Sequence, residues 1–266
     1  MVIKRKMRGF DILGNIALLK FPKNTSQKEK KSFALKILKR HKSVKTALEK
    51  IDKFKGRLRK QKTKWIAGEK TKEVIYKENG CIFRFNIDKT YFSPRLSGER
   101  KEIAGKIKEG NIVFVMFAGV GPYSIIIAKN SKAKIVYSNE INRDANRYAK
   151  INVELNKVKD KIIFLNGDIK KVVNKNLKEL KNKFDVIVMP RPNLKENFLK
   201  EAFILAKKNA RVFYYDFSRE EDVNKIIEEI RKEAKKFKRR IRILNTKRAG
   251  EISPHKYRIR IDFQVL

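Results

Sequence analysis

Cysteine, histidine and acidic residues are what this 266-residue sequence has little of: one, two and 29 respectively, against 68 lysines and arginines. The single cysteine, Cys81, excludes an intrachain disulfide and a cysteine-based metal cluster. His41 and His255 stand far apart, which argues against a zinc site, so no metal is expected. No run approaches the ~18 uninterrupted apolar residues of a membrane span, and no signal peptide precedes the first strand-like segment. The expectation is a cytoplasmic protein without membrane contact. The shortage of acids leaves a formal net charge of +39 at pH 7. Such an excess destabilises a compact chain by self-repulsion unless a polyanion offsets it. Nucleic acid is the partner whose phosphates do so. AT-rich coding bias would explain lysine in place of arginine, but not so few balancing acids.

A hydrophobic content of 41% is enough for a real core. Residues 10–21, FDILGNIALLKF, read as a hairpin or strand pair around Gly14-Asn15. Residues 26–51 carry Phe33, Leu35, Ile37, Leu38, Val44 and Leu48 at helical spacing, with Ser26 as a cap. Residues 71–88 hold two strand-like runs around Asn79-Gly80, a strong hairpin signal. These predict a small α+β domain over residues 1–90. Strands and helices then alternate. Strands are expected at 111–117, 134–140, 161–168, 184–190, 210–217, 240–246 and 257–266. Helices are expected from Pro122, over 143–156, after Asp168, and over 193–209 and 219–237. Such alternation implies βαβ units and a parallel sheet. Seven strands, the last two without a helix between them, fit a Rossmann sheet of methyltransferase type over residues 91–266.

The chemistry-bearing positions fall at strand ends. FAGVGPYS, residues 117–124, joins the first strand of this sheet to its first helix, and Gly119 and Gly121 permit close approach of a ligand to backbone. Ser124 stands where a dinucleotide fingerprint has its third glycine, which disfavours a pyrophosphate cofactor. The second strand ends at Glu140, able to accept both hydroxyls of a ribose, and the third at Gly167-Asp168, able to accept from an adenine amino group. Each carboxylate alone could be a helix cap. Together with the glycine turn they read as a pocket for S-adenosylmethionine (AdoMet). TYFSPRLSGER, residues 90–100, lies between the two domains and sets Glu99 just before the cofactor strand, and Arg95 and Arg100 in it read as exposed. At residues 184–193, FDVIVMPRPN, a strand is stopped by Pro190 and Pro192 in a stiff, exposed corner, with Arg191 between them offered to RNA.

Aligned on FDILGNIALLKF, GRLRKQKTKWIAGE, YFSPRLSGER, FAGVGP, NEINRDA, MPRP, FYYDF and SPHKYRIRIDF, the chain resembles the archaeal and eukaryotic-type tRNA guanine-37 N1-methyltransferases over almost all its length. The resemblance implies a class I AdoMet-dependent methyltransferase domain of Rossmann type, preceded by a small α+β domain that helps hold the anticodon stem-loop of tRNA. Because the match begins by Phe10, the further N-terminal domain of many relatives is expected to be missing. It implies Glu99 as general base and Arg59, with Arg57 as the alternative, as the arginine that steadies the target base. Tyr91 would line the cofactor site, and Phe117, Gly119, Val120 and Gly121 would hold the methionine part. Glu140, with Ile141 beside it, would hold the ribose, and Asp168 with Ile169 the adenine. A monomer is expected.

Two departures matter. Relatives carry an acid two before the motif phenylalanine, where this chain has Val115. Most have Asn-Leu-Pro where this chain has Pro190-Arg191-Pro192, and a proline side chain makes no hydrogen bond. The Pro-x-Pro form resembles an archaeal subgroup linked to wyosine biosynthesis. Some of its members also methylate C7 of the tricyclic precursor, which stands as a second expected activity. Three alternatives remain open on the same residues: an aminocarboxypropyltransferase using AdoMet, a non-catalytic RNA-binding protein, and, more distantly, a nicotinamide dehydrogenase. His255 lies in a basic turn near the end of the chain, where a structural role competes with a place by RNA or cofactor.

Overall fold

The computed structural model describes residues 9–52, 56–194, 196–253 and 255–266. They form two compact units, divided in sequence between Pro94 and Arg95.

In the first unit, β1 (Asp11–Leu13) and β2 (Ile16–Leu19) pair antiparallel around the Gly14-Asn15 turn. Gly14 has φ +57°, and a Cβ there would lie 1.9 Å from the Ile75 carbonyl oxygen, so the turn demands glycine. Asn15 grips the same segment: its Oδ1 accepts from Ile75 N at 2.8 Å and its Nδ2 donates to Glu73 O at 3.1 Å. α1 (Gln27–Arg40) begins at Ser26, which closes a capping box with Glu29. The helix expected over 26–51 ends there, because Thr46–Lys50 is a strand, β3, parallel to β2. Thr46 to Glu49 are all buried, which a one-faced surface helix could not achieve. α1 is thus the crossover that two parallel strands require. β4 (Thr63–Gly68), which the sequence pattern did not reveal, pairs antiparallel with β3 and completes the order β1-β2-β3-β4. β5 (Glu73–Glu78) and β6 (Cys81–Asn86) form the expected hairpin. Phe92 stacks on Phe85 at 4.8 Å between ring centroids.

The second unit runs α2 (Ser97–Gly105), β7 (Ile112–Val115), α3 (Pro122–Asn130), β8 (Ile135–Glu140), α4 (Arg143–Leu155), β9 (Ile162–Asn166), α5 (Ile169–Lys175), α6 (Leu177–Leu180), β10 (Phe184–Met189), α7 (Leu199–Leu205), β11 (Ala206–Ser218), α8 (Val223–Lys236), β12 (Ile241–Ser253) and β13 (Lys256–Val265). Its seven strands lie in the order β12-β13-β11-β10-β7-β8-β9. β7 to β11 are mutually parallel, and β13 is antiparallel to both β11 and β12. The order reverses between β7 and β10. Ligands of such sheets bind at that switch point, outside the carboxyl ends of the strands.

Three segments depart from the sequence expectation. The helix expected over 193–209 contracts to α7, because Ala206 already joins β11, opposite Phe184 of β10. The helical stretch after Asp168 divides at Asn176, whose side chain turns back to donate to the Val172 carbonyl at 2.8 Å. β12 continues past 246 to Ser253, since its far half pairs with the start of β13. Pro254, within the SPHKYRIRIDF stretch, lies outside the described residues. Among the described residues no helix is long and apolar enough to cross a membrane.

Candidate active site

β7 ends at Val115, which is fully buried, so no carboxylate stands at that point. The chain then turns through three residues of positive φ: Phe117 (56°), Gly119 (59°) and Gly121 (88°). Ala118 N donates to Asn139 O at 2.8 Å, fastening the turn to β8. A Cβ on Gly121 would lie 3.0 Å from Ile125 Cδ1, and its φ alone would strain any other residue. Pro122 opens α3, where no backbone donor is needed.

Glu140 reaches back over this turn from the end of β8. Its Oε2 accepts from Gly119 N and its Oε1 from Asn142 N, both at 2.7 Å. Burial raises its pKa, while backbone donors at Asn142, Gly119 and Ile141 oppose that rise. Asn139 donates through Nδ2 to Leu165 O at 2.7 Å and Gly167 O at 3.1 Å, which draws the end of β9 alongside. Asp168 caps α5, accepting from Lys170 N at 2.9 Å. Phe117, Gly119, Val120, Gly121, Glu140, Ile141, Asp168 and Ile169 therefore lie at three adjacent strand ends. Val120 and Ile169 are buried, so what they can offer a ligand is backbone. A turn left bare of side chains at Gly119 and Gly121, beside a carboxylate whose oxygens are oriented by backbone N–H groups, fits a nucleoside carrying a ribose diol. The residues present thus fit AdoMet.

Glu99 lies on α2, buried, and is the hub of a second cluster. Its Oε1 accepts from Tyr215 Oη at 2.8 Å and from Arg260 Nη1 in a very short contact. Tyr123, one residue past Pro122, donates to Tyr215 Oη at 3.3 Å. A hydrogen-bonded path thus runs from Glu99 to the helix that starts on the glycine turn. Burial pushes the Tyr123 phenol up to about 12 and the Tyr215 phenol well above its ordinary value, so both are neutral donors near pH 7. Arg260 also donates to Glu102 at 2.7 Å and to Asp262 at 2.7 Å. Lys106 bridges Glu102 at 2.8 Å and Asp262 at 3.4 Å, and Lys247 pairs closely with Glu102. Arg100, expected to be exposed, is 1% exposed and packs over the Tyr123 ring.

The Arg260 hydrogen bond holds Glu102 well below the usual carboxylate range, against a desolvation that acts the other way. A depressed carboxyl pKa contributes stability that is full above the unfolded value, about 4.3, and is lost as pH falls through the folded one. Glu102→Gln should therefore flatten the fall of unfolding free energy below about pH 4.3, as measured by denaturant titration at several pH values.

The Pro-Arg-Pro corner follows β10. Pro190 and Pro192 are half-buried, but Arg191 is not offered outward as the sequence suggests: it is 4% exposed. Its Nη2 meets Asp216 Oδ1 at 3.2 Å and donates to Leu194 O at 3.1 Å, because a turn this tight directs the residue between the prolines back toward β11. Arg191 thus braces the corner from within. Asp216→Asn should lower thermal stability by about 2 kcal/mol, the scale of one charged hydrogen bond in a buried setting. Calorimetry checks that value.

Arg59 and Tyr91 belong to the first unit, where the Arg59 guanidinium stacks 4.2 Å from the Tyr91 ring centre. Arg57 is exposed. Sequence reading missed Tyr123, Tyr215, Glu102, Arg260 and Asp262. Only Arg260 and Asp262 left a signal, the alternation RIRIDF: Ile259, Ile261 and Phe263 join the core, so Arg260 and Asp262 share the opposite face. Among the described residues no group of three or more His, Cys, Asp or Glu could hold a metal ion.

A family model described as the TRM5/TYW2 methyltransferase domain matches residues 74–244, and one described as the TYW2 N-terminal domain matches residues 2–71. The tRNA (guanine(37)-N(1))-methyltransferase Trm5b of Pyrococcus abyssi is 37% identical over 257 residues, covering 96% of this chain and 74% of that protein. The tRNA (guanine(37)-N(1))/4-demethylwyosine(37)-methyltransferase Taw22 of Nanoarchaeum equitans is 36% identical over 303 residues, covering 97% of this chain and 99% of that one. The crystal structure of wild-type Trm5b from Pyrococcus abyssi superposes with a TM-score of 0.83 at 35% identity, covering 97% of this chain and 75% of that one.

Proposed function

Because this chain belongs to the TRM5/TYW2 methyltransferase family, we propose that it methylates N1 of guanosine 37 in tRNA with AdoMet as donor. The observation that carries this reading is the path from buried Glu99 through Tyr215 to Tyr123, which ties a carboxylate to the helix opening on the glycine turn. AdoMet, when bound, supplies a sulfonium methyl that needs no further activation. The task of the protein is then to bind, orient and deprotonate. Gly119 and Gly121 let the ligand meet backbone. Glu140 accepts from the ribose hydroxyls and Asp168 from the adenine amino group, and Phe117, Val120, Ile141 and Ile169 frame them. Glu99 takes the proton from guanine N1. Arg59 offsets the charge that grows on O6, and Tyr91 supports Arg59 by stacking. An anticodon-loop base is single-stranded, so it enters a pocket without breaking a duplex. The net charge of +39 supplies phosphate contacts.

The proline corner favours a second substrate. Pro190 and Pro192 present apolar, rigid surface where an asparagine amide would select guanine, and the Nanoarchaeum equitans relative carries 4-demethylwyosine in its name. A tricyclic base at position 37, methylated at C7, fits such a wall. Substitution of A37 for G37 in a tRNA transcript is expected to abolish uptake of labelled methyl. Equal uptake by both transcripts would overturn the assignment to guanosine 37.

A further inference from the structure

We propose that Arg260 is a positioning residue for Glu99: by holding Oε1 it presents Oε2 as the oxygen that receives the proton. The inference rests on the reading of Glu99 as the base. A glutamate side chain has three torsions, and its two oxygens are chemically alike until something distinguishes them. Here Oε1 accepts twice, from Arg260 Nη1 and from Tyr215 Oη at 2.8 Å. Oε2 accepts no hydrogen bond from the described residues, and the ammonium of Lys247 stands 3.7 Å from it. That distance is beyond hydrogen-bond reach, and the same ammonium is engaged by Glu102.

Arg260 can hold this geometry because it is itself immobilised. It is fully buried, and all three of its nitrogens are used. Nη1 meets Glu99, Nη2 meets Glu102 Oε1 at 2.7 Å, and Nε meets Asp262 Oδ1 at 2.7 Å. Two of these carboxylates stand on α2, one helical turn apart, and the third on β13 itself. The planar fork of a guanidinium can satisfy three acceptors in fixed directions, whereas an ammonium cannot. The arrangement also ties α2 to β13, which are 161 residues apart at the Glu99–Arg260 contact. In the proton transfer, the N1–H bond of the base breaks and an O–H bond forms on Oε2, while Oε1 keeps both donors throughout. General-base catalysis depends on such alignment.

The test compares Arg260→Met, Arg260→Lys and Tyr215→Phe with wild type and Glu99→Gln, measuring kcat and KM for G37 tRNA and AdoMet affinity by calorimetry. Arg260→Met should lower kcat about 10- to 100-fold, with KM for tRNA and affinity for AdoMet within about 3-fold. Arg260→Lys should recover only part of the loss. Tyr215→Phe should lower kcat about 3- to 10-fold and stands in if Arg260→Met does not fold. In the Glu99→Gln background Arg260→Lys should cost nothing further, because a residue acting through Glu99 is not additive with its loss. Arg260→Lys and Tyr215→Phe at wild-type kcat, or losses confined to KM or additive with Glu99→Gln, would overturn the proposal. Wild-type kcat in Glu99→Gln would instead overturn the assignment of the base on which it rests.

Discussion

Glu99→Gln is expected to lower kcat for methyl transfer to guanosine 37 by about 10²- to 10⁴-fold, the usual contribution of a positioned general base. The substitution keeps the size of the side chain, and its amide oxygen can still accept from Tyr215 and Arg260, so the fold should survive. What it removes is the ability to take a proton. Guanine N1 carries a hydrogen that must leave as the new bond forms, and no other carboxylate among the described residues is hydrogen-bonded to the pair made by Tyr215 of β11 and Tyr123 at the start of α3. AdoMet affinity should stay within about 2-fold, since the proposed cofactor contacts lie at the ends of β7, β8 and β9. Stopped-flow or quench measurement of a single turnover isolates the chemical step. An unchanged single-turnover rate would show that the proton goes elsewhere.

The second large effect concerns Glu140. Its two oxygens are set by Gly119 N and Asn142 N at 2.7 Å, leaving their remaining lone pairs for a ligand. Glu140→Ala removes the acceptor and strips both backbone donors of their partner. Hydrogen bonds to a charged group contribute about 1.5–3 kcal/mol, so AdoMet affinity should weaken roughly 10- to 100-fold. Glu140→Gln should fall between. Titration calorimetry reads the difference directly. Because burial raises the Glu140 pKa, the carboxylate takes up its proton at a higher pH than an exposed glutamate would. Affinity for AdoMet should therefore begin to fade earlier on acidification in wild type than in Glu140→Gln.

The placement of the glycine turn and of the acids at strand ends was legible in the sequence, for a local reason. Glycine turns, strand-terminal acids and the helices after them are set by residues close together in the chain, so Gly119, Gly121, Glu140 and Asp168 could be located from spacing alone. Position does not decide role, however: Asp168 is also the cap of α5. The neighbours of Glu99 were beyond such reading. Tyr215 and Arg260 are cross-strand partners on β11 and β13, and only the register of that pairing brings them together under α2. Arg191 misled for a similar reason. Between two prolines it reads as exposed, but its acceptor is Asp216 on the next strand, which local pattern does not reveal. β3 was mistaken for helix because Val44 and Leu48 are four apart, a spacing common to both structures, and its burial on two faces becomes visible only once α1 and β4 are in place.

In this mechanism the chain moves a methyl group to guanosine 37 with Glu99 taking the proton. Mass analysis of nucleosides from tRNA incubated with enzyme and AdoMet tests it most directly, using tRNA bearing either G37 or the tricyclic precursor, with wild type and Glu99→Gln side by side. The expected products are 1-methylguanosine from the first tRNA and a singly methylated tricycle from the second, with loss of 1-methylguanosine in Glu99→Gln. Appearance of the heavier aminocarboxypropyl adduct, or 1-methylguanosine formed equally well by Glu99→Gln, would contradict it.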